Sequence, residues 1–347
     1  QEKVLLAILH YQERTVFGIE HGFDKIKSIE EFREKVPPQD YESLRGYIEK
    51  QDKTGERYIN FDTPVIYAVT SGSTGAPKYI PVLKRSIEAF KRAQLIQAYS
   101  QLMERKEVIS GKIMAIMGAS IEGHMPSGIP YGSASGFVKD HAPKIAKQKY
   151  VLPGEVAYIK DNLLKYQTIL RLVLGHDDIT YLGSANPSTF IKLLDIINEY
   201  WEKYYVDLKE GTFFRDDDLI PEHQKALRGL YSYSPEKAER LNNIYKENGE
   251  LKLLHLFPEL QILGTWTGGS CGTALGSLKG QLPEQTLTRD PGYISSEFRG
   301  TIPLKSGRTT GIPTLMDNFY EFIERNDYDE GKRNFLTLDE LQDRKEY

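Results

Sequence analysis

The segment Thr70-Ser71-Gly72-Ser73-Thr74-Gly75-Ala76-Pro77-Lys78 restricts this chain more than any other. It follows the apolar run Val65-Ile66-Tyr67-Ala68-Val69, whose shortness and β-branched content predict a buried strand. A strand opening into glycines and hydroxyls is suited to holding phosphate. Glycine admits positive φ and close backbone approach, so consecutive N–H groups can converge on an anion. Ser71, Ser73 and Thr74 add neutral donors, and Lys78 places a positive charge just beyond the bend. Thr70 through Gly75 therefore form the candidate nucleotide-phosphate loop. The plainer alternative is a polar turn between two strands, because the same residue types dominate turns.

The order of residues narrows the kind of loop. A Walker loop places lysine directly after its second glycine, whereas Ala76 and Pro77 separate Gly75 from Lys78 here. A dinucleotide fingerprint needs Gly-x-Gly-x-x-Gly at the strand end, and this segment does not supply it. The pattern that fits, Thr-Ser-Gly-Ser-Thr-Gly-x-Pro-Lys, resembles the phosphate loop of adenylate-forming enzymes.

With 347 residues, 39% of them hydrophobic, the chain can bury one large core or several smaller ones. A formal charge of −4 makes no electrostatic case for a nucleic-acid partner. The single cysteine, Cys271, excludes an intrachain disulfide framework and suits a reducing compartment. No apolar run approaches the ~20 residues of a membrane helix, so no membrane partner is expected. The opening Gln1–His10 is too short and too charged for a signal peptide, and Leu5, Ile8, Leu9 and Val16 instead predict a helical stripe. A start at glutamine rather than methionine implies preceding residues. A soluble cytoplasmic protein is the expectation.

Residues 1–63 read as a helical lead-in, 64–210 as an α/β part with the phosphate loop, 211–257 as a helical insertion and 258–347 as a second α/β part. In the lead-in, Ser28 and Glu31 have capping-box spacing, Pro37-Pro38 ends that helix, and Asp40 caps the next. Beyond the loop come a return strand at Tyr79–Val82, a helix from Arg85 to Glu104 and a strand over Lys112–Met117. A helix over Asp161–Leu174 and a strand at Ile179–Leu182 continue the alternation. One long helix is predicted from Ser188 through Tyr205, with Ile191, Leu194, Ile197 and Trp201 on one stripe. A strand at Leu260–Leu263 precedes short strands at 292–304 and 319–323. This alternation predicts an α/β fold with mixed, largely parallel sheets flanked by helices. Asp216-Asp217-Asp218 reads as a solvated turn rather than a metal site, since no other ligand group clusters with it in sequence.

Two downstream segments are candidate companions to the loop. In Trp266-Thr267-Gly268-Gly269-Ser270-Cys271-Gly272, glycines would let backbone pack against a flat adenine ring while Thr267 or Ser270 bonds its edge. The alternative is a strand–helix connection that needs small residues. Cys271 has no recognisable base beside it and reads as a small packed thiol. In Tyr293-Ile294-Ser295-Ser296-Glu297, a serine can donate to phosphate while Glu297 binds Mg²⁺ bridging to the same phosphate. An ordinary exposed glutamate is the alternative there.

In the order phosphate loop, Trp-x-Gly-Gly, Tyr-x-Ser-Ser-Glu, the chain resembles the Gretchen Hagen three family. These are the auxin-responsive acyl acid amido synthetases and their bacterial relatives, within the adenylate-forming superfamily. Phe17–Phe23, Val36-Pro37, Tyr41-Glu42, Phe319–Ile323 and Leu336–Leu341 also fit, so the resemblance covers nearly the whole chain, read as that of a bacterial member. It implies the large N-terminal domain of an enzyme that activates a carboxylic acid with ATP and Mg²⁺. The product is an acyl-adenylate, which an amino acid amine then attacks.

The resemblance further implies that Thr70, Ser71, Gly72, Ser73, Thr74 and Gly75 hold ATP phosphates, and that Gly268, Gly269 and Ser270 lie near adenine. Tyr293, Ser295 and Ser296 would contact nucleotide, Ser296 at the α-phosphate, with Glu297 serving the metal; Lys78 would guide pyrophosphate or face solvent. Neutralising the α-phosphate would be the main catalytic task of Ser71, Ser73, Thr74, Lys78, Ser296 and Glu297, because the attacking carboxylate is itself an anion. His124, Met125, Ile129, Tyr131 and Phe137 lie in the stretch where relatives line the acyl site, and a surface loop with core anchors is the alternative.

One departure stands out. The family's third nucleotide motif, Arg-x-Gly-Asp after a tyrosine, does not occur before the chain stops at Lys345-Glu346-Tyr347. The small C-terminal domain is therefore expected to be absent from this chain. Two other readings stay open: transfer of the adenylate to a thiol such as coenzyme A, and a non-catalytic nucleotide-binding descendant.

Overall fold

The computed structural model describes residues 1–70, 76–140, 142 and 144–347, and two of its first four helices begin at the caps read from the sequence, Ser28 and Asp40. The four are α1 (Glu2–Gln12), α2 (Val16–Glu20), α3 (Ile29–Lys35) and α4 (Tyr41–Thr54). The Ser28 hydroxyl accepts the Glu31 amide at 3.2 Å, and Asp40 and Ser43 exchange bonds as a capping box on α4. Leu5 and Leu9 are buried with Phe17, Phe23 and Ile26. Ile8 instead faces outward, and Val16 opens a separate helix because the Thr15 hydroxyl caps it by accepting the Gly18 amide.

These helices belong to one of two compact units, formed by residues 1–65, 125–129 and 313–347. Within it the buried Gln51 side chain accepts the amides of Ile59 and Asn60. Its neighbour Asp52, also buried, accepts the amide and hydroxyl of Ser127, which seats the Met125–Ile129 turn on α4. Gly128 takes φ +85° in that turn, a conformation that other residues adopt only with strain.

The second unit is formed by residues 66–124 and 130–312. It starts with β1 (Ile66–Thr70), β2 (Lys78–Val82), α5 (Lys84–Glu104), β3 (Lys112–Ala115), β4 (Gly123–His124) and β5 (Pro130–Gly132). It continues with α6 (Ala134–Asp140), α7 (Lys144–Lys147), α8 (Asn162–Val173), β6 (Ile179–Gly183), α9 (Ser188–Glu199) and α10 (Trp201–Glu210). It closes with α11 (Pro221–Leu227), α12 (Pro235–Asn248), α13 (Leu253–Leu256), β7 (Ile262–Gly264), α14 (Ser270–Ser277) and β8 (Leu287–Arg289), then shorter pieces. One sheet has the order β2-β1-β5-β4, with β1 antiparallel to β2 and parallel to β5. The other, β3-β6-β7-β8, is parallel throughout. Mixed and parallel sheets flanked by helices are the architecture the alternation predicts.

Residue alternation sorts the two faces of the parallel sheet. Met114, Leu182 and Leu263 enter one apolar cluster with Leu170, Ile196, Trp201, Leu227, Leu241 and Leu256 of the helices. On the other face the Tyr181 ring lies across two glycines. A Cβ on Gly264 would meet the Tyr181 hydroxyl at 2.0 Å, so that strand position takes only glycine while the ring stays.

Three details differ from the sequence reading. The helix predicted through Tyr205 breaks at Tyr200, which leaves helical geometry at φ −113°, ψ 20° and stacks on Phe214. No glycine or proline marks the break. Strand β8 was not predicted, because Leu287-Thr288-Arg289 is too short and too polar to show a strand pattern. In the acidic tract Asp217 is solvated, but Asp216 pairs with Arg228 and accepts from the Tyr231 hydroxyl. Among the described residues no helix is long and apolar enough to cross a membrane.

Candidate functional site

Three strands of the second unit deliver the motifs at their carboxyl ends, where ligands bind in open α/β sheets. β1 ends at Thr70, which pairs with Lys78, the first residue of β2. Ser71, Gly72, Ser73, Thr74 and Gly75 lie outside the described residues. Lys78 is half-buried where it opens β2.

β7 passes directly into the second motif. The Thr265 amide donates to the Arg289 carbonyl at 3.0 Å and the Trp266 amide to the Ala185 carbonyl at 3.1 Å. The Trp266 indole donates to the Gly292 carbonyl at 3.1 Å. Gly269 sits at φ 56°, ψ −136°, a region essentially reserved for glycine, and turns the chain into α14, whose first residue is Ser270. Among the described residues, only Thr309 lies within 4 Å of a Cβ built on Gly268, at 3.7 Å. The connection is thus strand-to-helix, with its glycines at the mouth of the sheet.

The third motif follows β8. Ile294 and Arg299 form an antiparallel bridge, the Gly300 amide donates to the Tyr293 carbonyl at 2.8 Å, and the Ser295 amide to the Phe298 carbonyl at 3.0 Å. That pairing puts Ser296 and Glu297 at the tip of a tight turn, with Glu297 exposed and Ser296 half-buried. Tyr293 is exposed and meets Phe298 edge-on at 5.9 Å.

What holds the last two motifs in place was not legible as a motif. Asp290 accepts the Thr267 amide and hydroxyl, both at 2.8 Å, and the Gly292 amide at 2.7 Å. Arg289, wholly buried, pairs with Glu104 at 2.6 Å and donates to the Ser100 hydroxyl at 2.6 Å. Arg299, also buried, donates to the Gln97 and Gln94 side chains and to the Pro291 carbonyl. Burial pulls the Arg299 guanidinium down to about 10 and pushes the Tyr181 phenol, bonded to Gln101, up to about 12. Burial also acts to raise the Glu104 carboxyl, but the Ser306 amide and hydroxyl together with Arg289 hold it below the usual range. Arginines and glutamines scattered over 200 positions show no spacing pattern, so only the fold brings them together.

The residues named for the acyl slot divide between the units. His124 is exposed on β4, the Tyr131 ring meets Tyr79 edge-on at 5.1 Å, and Phe137 packs with Ile66 and Ile87 in an apolar cluster, all in the second unit. Met125 and Ile129 belong to the first, closing their turn through a 2.8 Å backbone bond. A cavity of about 390 Å³ lies instead at the carboxyl end of β3, lined by Ile116, Gly118, Ser120, Lys139, Glu155 and Tyr158 among others. Lys139 donates to the Leu152 carbonyl at 2.8 Å, and burial draws its amine below the usual lysine range while Asp140 and Glu155 oppose that shift. Cys271 is a half-buried free thiol.

Residues 1–285 match the GH3 family N-terminal domain. The chain belongs to the GH3 family. Among its relatives, the indole-3-acetic acid-amido synthetase GH3.15 of Arabidopsis thaliana is 24% identical over 223 residues, 61% of this chain and 36% of that protein. The probable indole-3-acetic acid-amido synthetase GH3.2 of Oryza sativa subsp. japonica is 24% identical over 227 residues, with the same coverage of 61% and 36%. The solved GH3.15 acyl acid amido synthetase superposes with a TM-score of 0.78 at 18% identity, covering 98% of this GH3 chain and 60% of the other. The same enzyme in complex with 2,4-DB gives 0.75 at 18% identity. The match spans about a third of the curated relatives' length, 36%.

Proposed function

We propose that the protein carrying this GH3 domain is an acyl acid amido synthetase that activates a carboxylic acid with ATP, as the acyl-adenylate, and passes the acyl group to an amino acid amine. The observation that carries the reading is the emergence of the second and third motifs from β7 and β8, adjacent parallel strands paired Gly264 to Arg289, at the same end. The relatives' names, amido synthetases acting on indole-3-acetic acid, support the class of reaction.

In this reading Gly268, Gly269 and Ser270 form the adenine side and Ser295 and Ser296 the phosphate side. Thr70 through Gly75 and Lys78 take the β- and γ-phosphates, which leave as pyrophosphate when the acid's oxygen bonds to the α-phosphorus. His124 and Tyr131 serve the acid. Among the described residues no group of three or more His, Cys, Asp or Glu could form a metal cage. A lone exposed carboxylate, Glu297, instead fits Mg²⁺, which keeps several waters and relies on one or two carboxylates plus phosphate. Glu297 would hold that ion, which when bound would neutralise phosphate charge.

Acid-dependent pyrophosphate release by the full-length protein, across a panel of carboxylic acids with amino acids offered as acceptors, tests the proposal. Glu297→Ala should lower release roughly a hundredfold with unchanged melting, as expected for an exposed electrostatic group. Wild-type release in that variant would remove Glu297 from the mechanism, and no release with any acid would leave a nucleotide-binding module.

A further inference from the structure

Asp290 belongs to none of the motifs, yet the fold places it between two of them. It is 5% exposed, and its two oxygens serve different segments. Oδ2 accepts the amide and hydroxyl of Thr267, just ahead of Gly268-Gly269-Ser270, each at 2.8 Å. Oδ1 accepts the amide of Gly292, just ahead of Tyr293, at 2.7 Å. The Asp290 carbonyl in turn accepts the buried Gln97 side chain of α5 at 3.4 Å. The 3.1 Å bond from the Trp266 indole to the Gly292 carbonyl is a second tie across the same junction.

Burying a carboxylate is costly unless donors satisfy it, and here three do, through short charge-assisted bonds. Such a group fixes the geometry of what it binds more than it adds to stability. Both tied segments lead directly into candidate nucleotide contacts, one on the base side and one on the phosphate side.

We propose that Asp290 is a positioning residue for nucleotide binding, holding residues 267–270 and 293–297 in one register so that base and α-phosphate are engaged together. The inference rests on the nucleotide reading above. Its signature is selective: a displaced base segment weakens ATP binding but not the binding of phosphates that carry no base.

Calorimetric titration of the full-length protein with Mg²⁺–ATP and, separately, with tripolyphosphate separates the two. Trp266 adds a spectroscopic readout, since the only other tryptophan, Trp201, is buried in the apolar core. Asp290→Asn keeps the shape but turns an amide donor toward donors on one side. ATP affinity should fall roughly tenfold or more, with tripolyphosphate affinity held within about twofold. Thr267→Val, which removes one of the bonds, should lose less, and Thr267→Ser, which restores the hydroxyl that donates to Asp290, should regain most of what Thr267→Val loses. If Asp290→Asn does not fold, the Thr267→Val and Thr267→Ser pair carries the test alone. Equal ATP affinity in variant and wild type overturns the proposal, as does a parallel loss for both ligands, which marks a purely structural residue. A wild-type protein that binds neither ligand overturns the nucleotide reading, and the role of Asp290 with it.

Discussion

One face of the β3-β6-β7-β8 sheet carries Met114, Leu182 and Leu263 into an apolar cluster with α8 to α13, whereas the other carries Tyr181, Gly264 and Arg289 to the polar side of α5. The C-terminal half of helix α5 is inverted relative to an ordinary amphipathic helix. Gln97 and Gln101 are buried, while Leu95, Ile96, Tyr99 and Met103 are 50–68% exposed. The apolar face derives its stability from area removed from water and tolerates exchange of one aliphatic residue for another. The polar face depends on bonds of fixed direction, from Arg289 to Glu104 and from Arg299 to Gln97. The second and third motif segments follow β7 and β8, whose residues Gly264 and Arg289 lie on the polar face. Directional bonds can hold such loops in register, where apolar packing alone would allow them to slide.

Breaking the polar face should have the largest effect. Arg289→Met strips the guanidinium from Glu104, Ser100 and the Pro303 carbonyl and should cost about 4 kcal/mol in denaturant unfolding. Arg289→Met with Glu104→Leu should recover much of that loss, and a double variant no better than the single one would show the face is not governed by this pair. On the apolar face, Leu241→Ala, at a wholly buried position of α12, should cost about 3 kcal/mol through the cavity it leaves. Its calorimetric ATP affinity should not change; a loss comparable to that of Asp290→Asn would erase the distinction between the faces.

The smallest effect concerns pH. The unfolded Tyr181 phenol ionises near its ordinary 10.0, whereas the folded one keeps its proton up to about 12, chiefly because it is buried. In that window the unfolded state binds fewer protons, so stability present below pH 10 is lost as pH rises toward 12. Its share of the loss should be about 2 kcal/mol, and Tyr181→Phe should remove that share, leaving those of Tyr150, Tyr204 and Tyr231, whose phenols burial also raises. An unchanged slope in the variant would assign the alkaline loss to another group.

The apolar face was readable because its code is periodic. Leu194, Ile197 and Trp201 fall on one stripe, and all are buried. Even there the break at Tyr200 has no local signal, and the Phe214 ring stacked on Tyr200 comes from a later segment. The motif segments were readable because their residue order is unusual, which is why the GH3 family could be named from the residues alone. Asp290, Arg289 and Arg299 were not, because a buried charge in a sequence looks like any surface charge until its partners are known. Gln97 and Glu104 lie about 190 positions from the residues they bind.

The linear chain alone determined the α/β alternation, the strand before the glycine-hydroxyl segment and the family, all of which rest on local order and short periods. Tertiary structure alone decided which charges are buried, which face of α5 turns inward, and that one aspartate joins the two motif segments. The physical reason is range: backbone propensity and hydrophobic period act over a few residues, while satisfying a buried polar group needs partners that only the folded chain can supply.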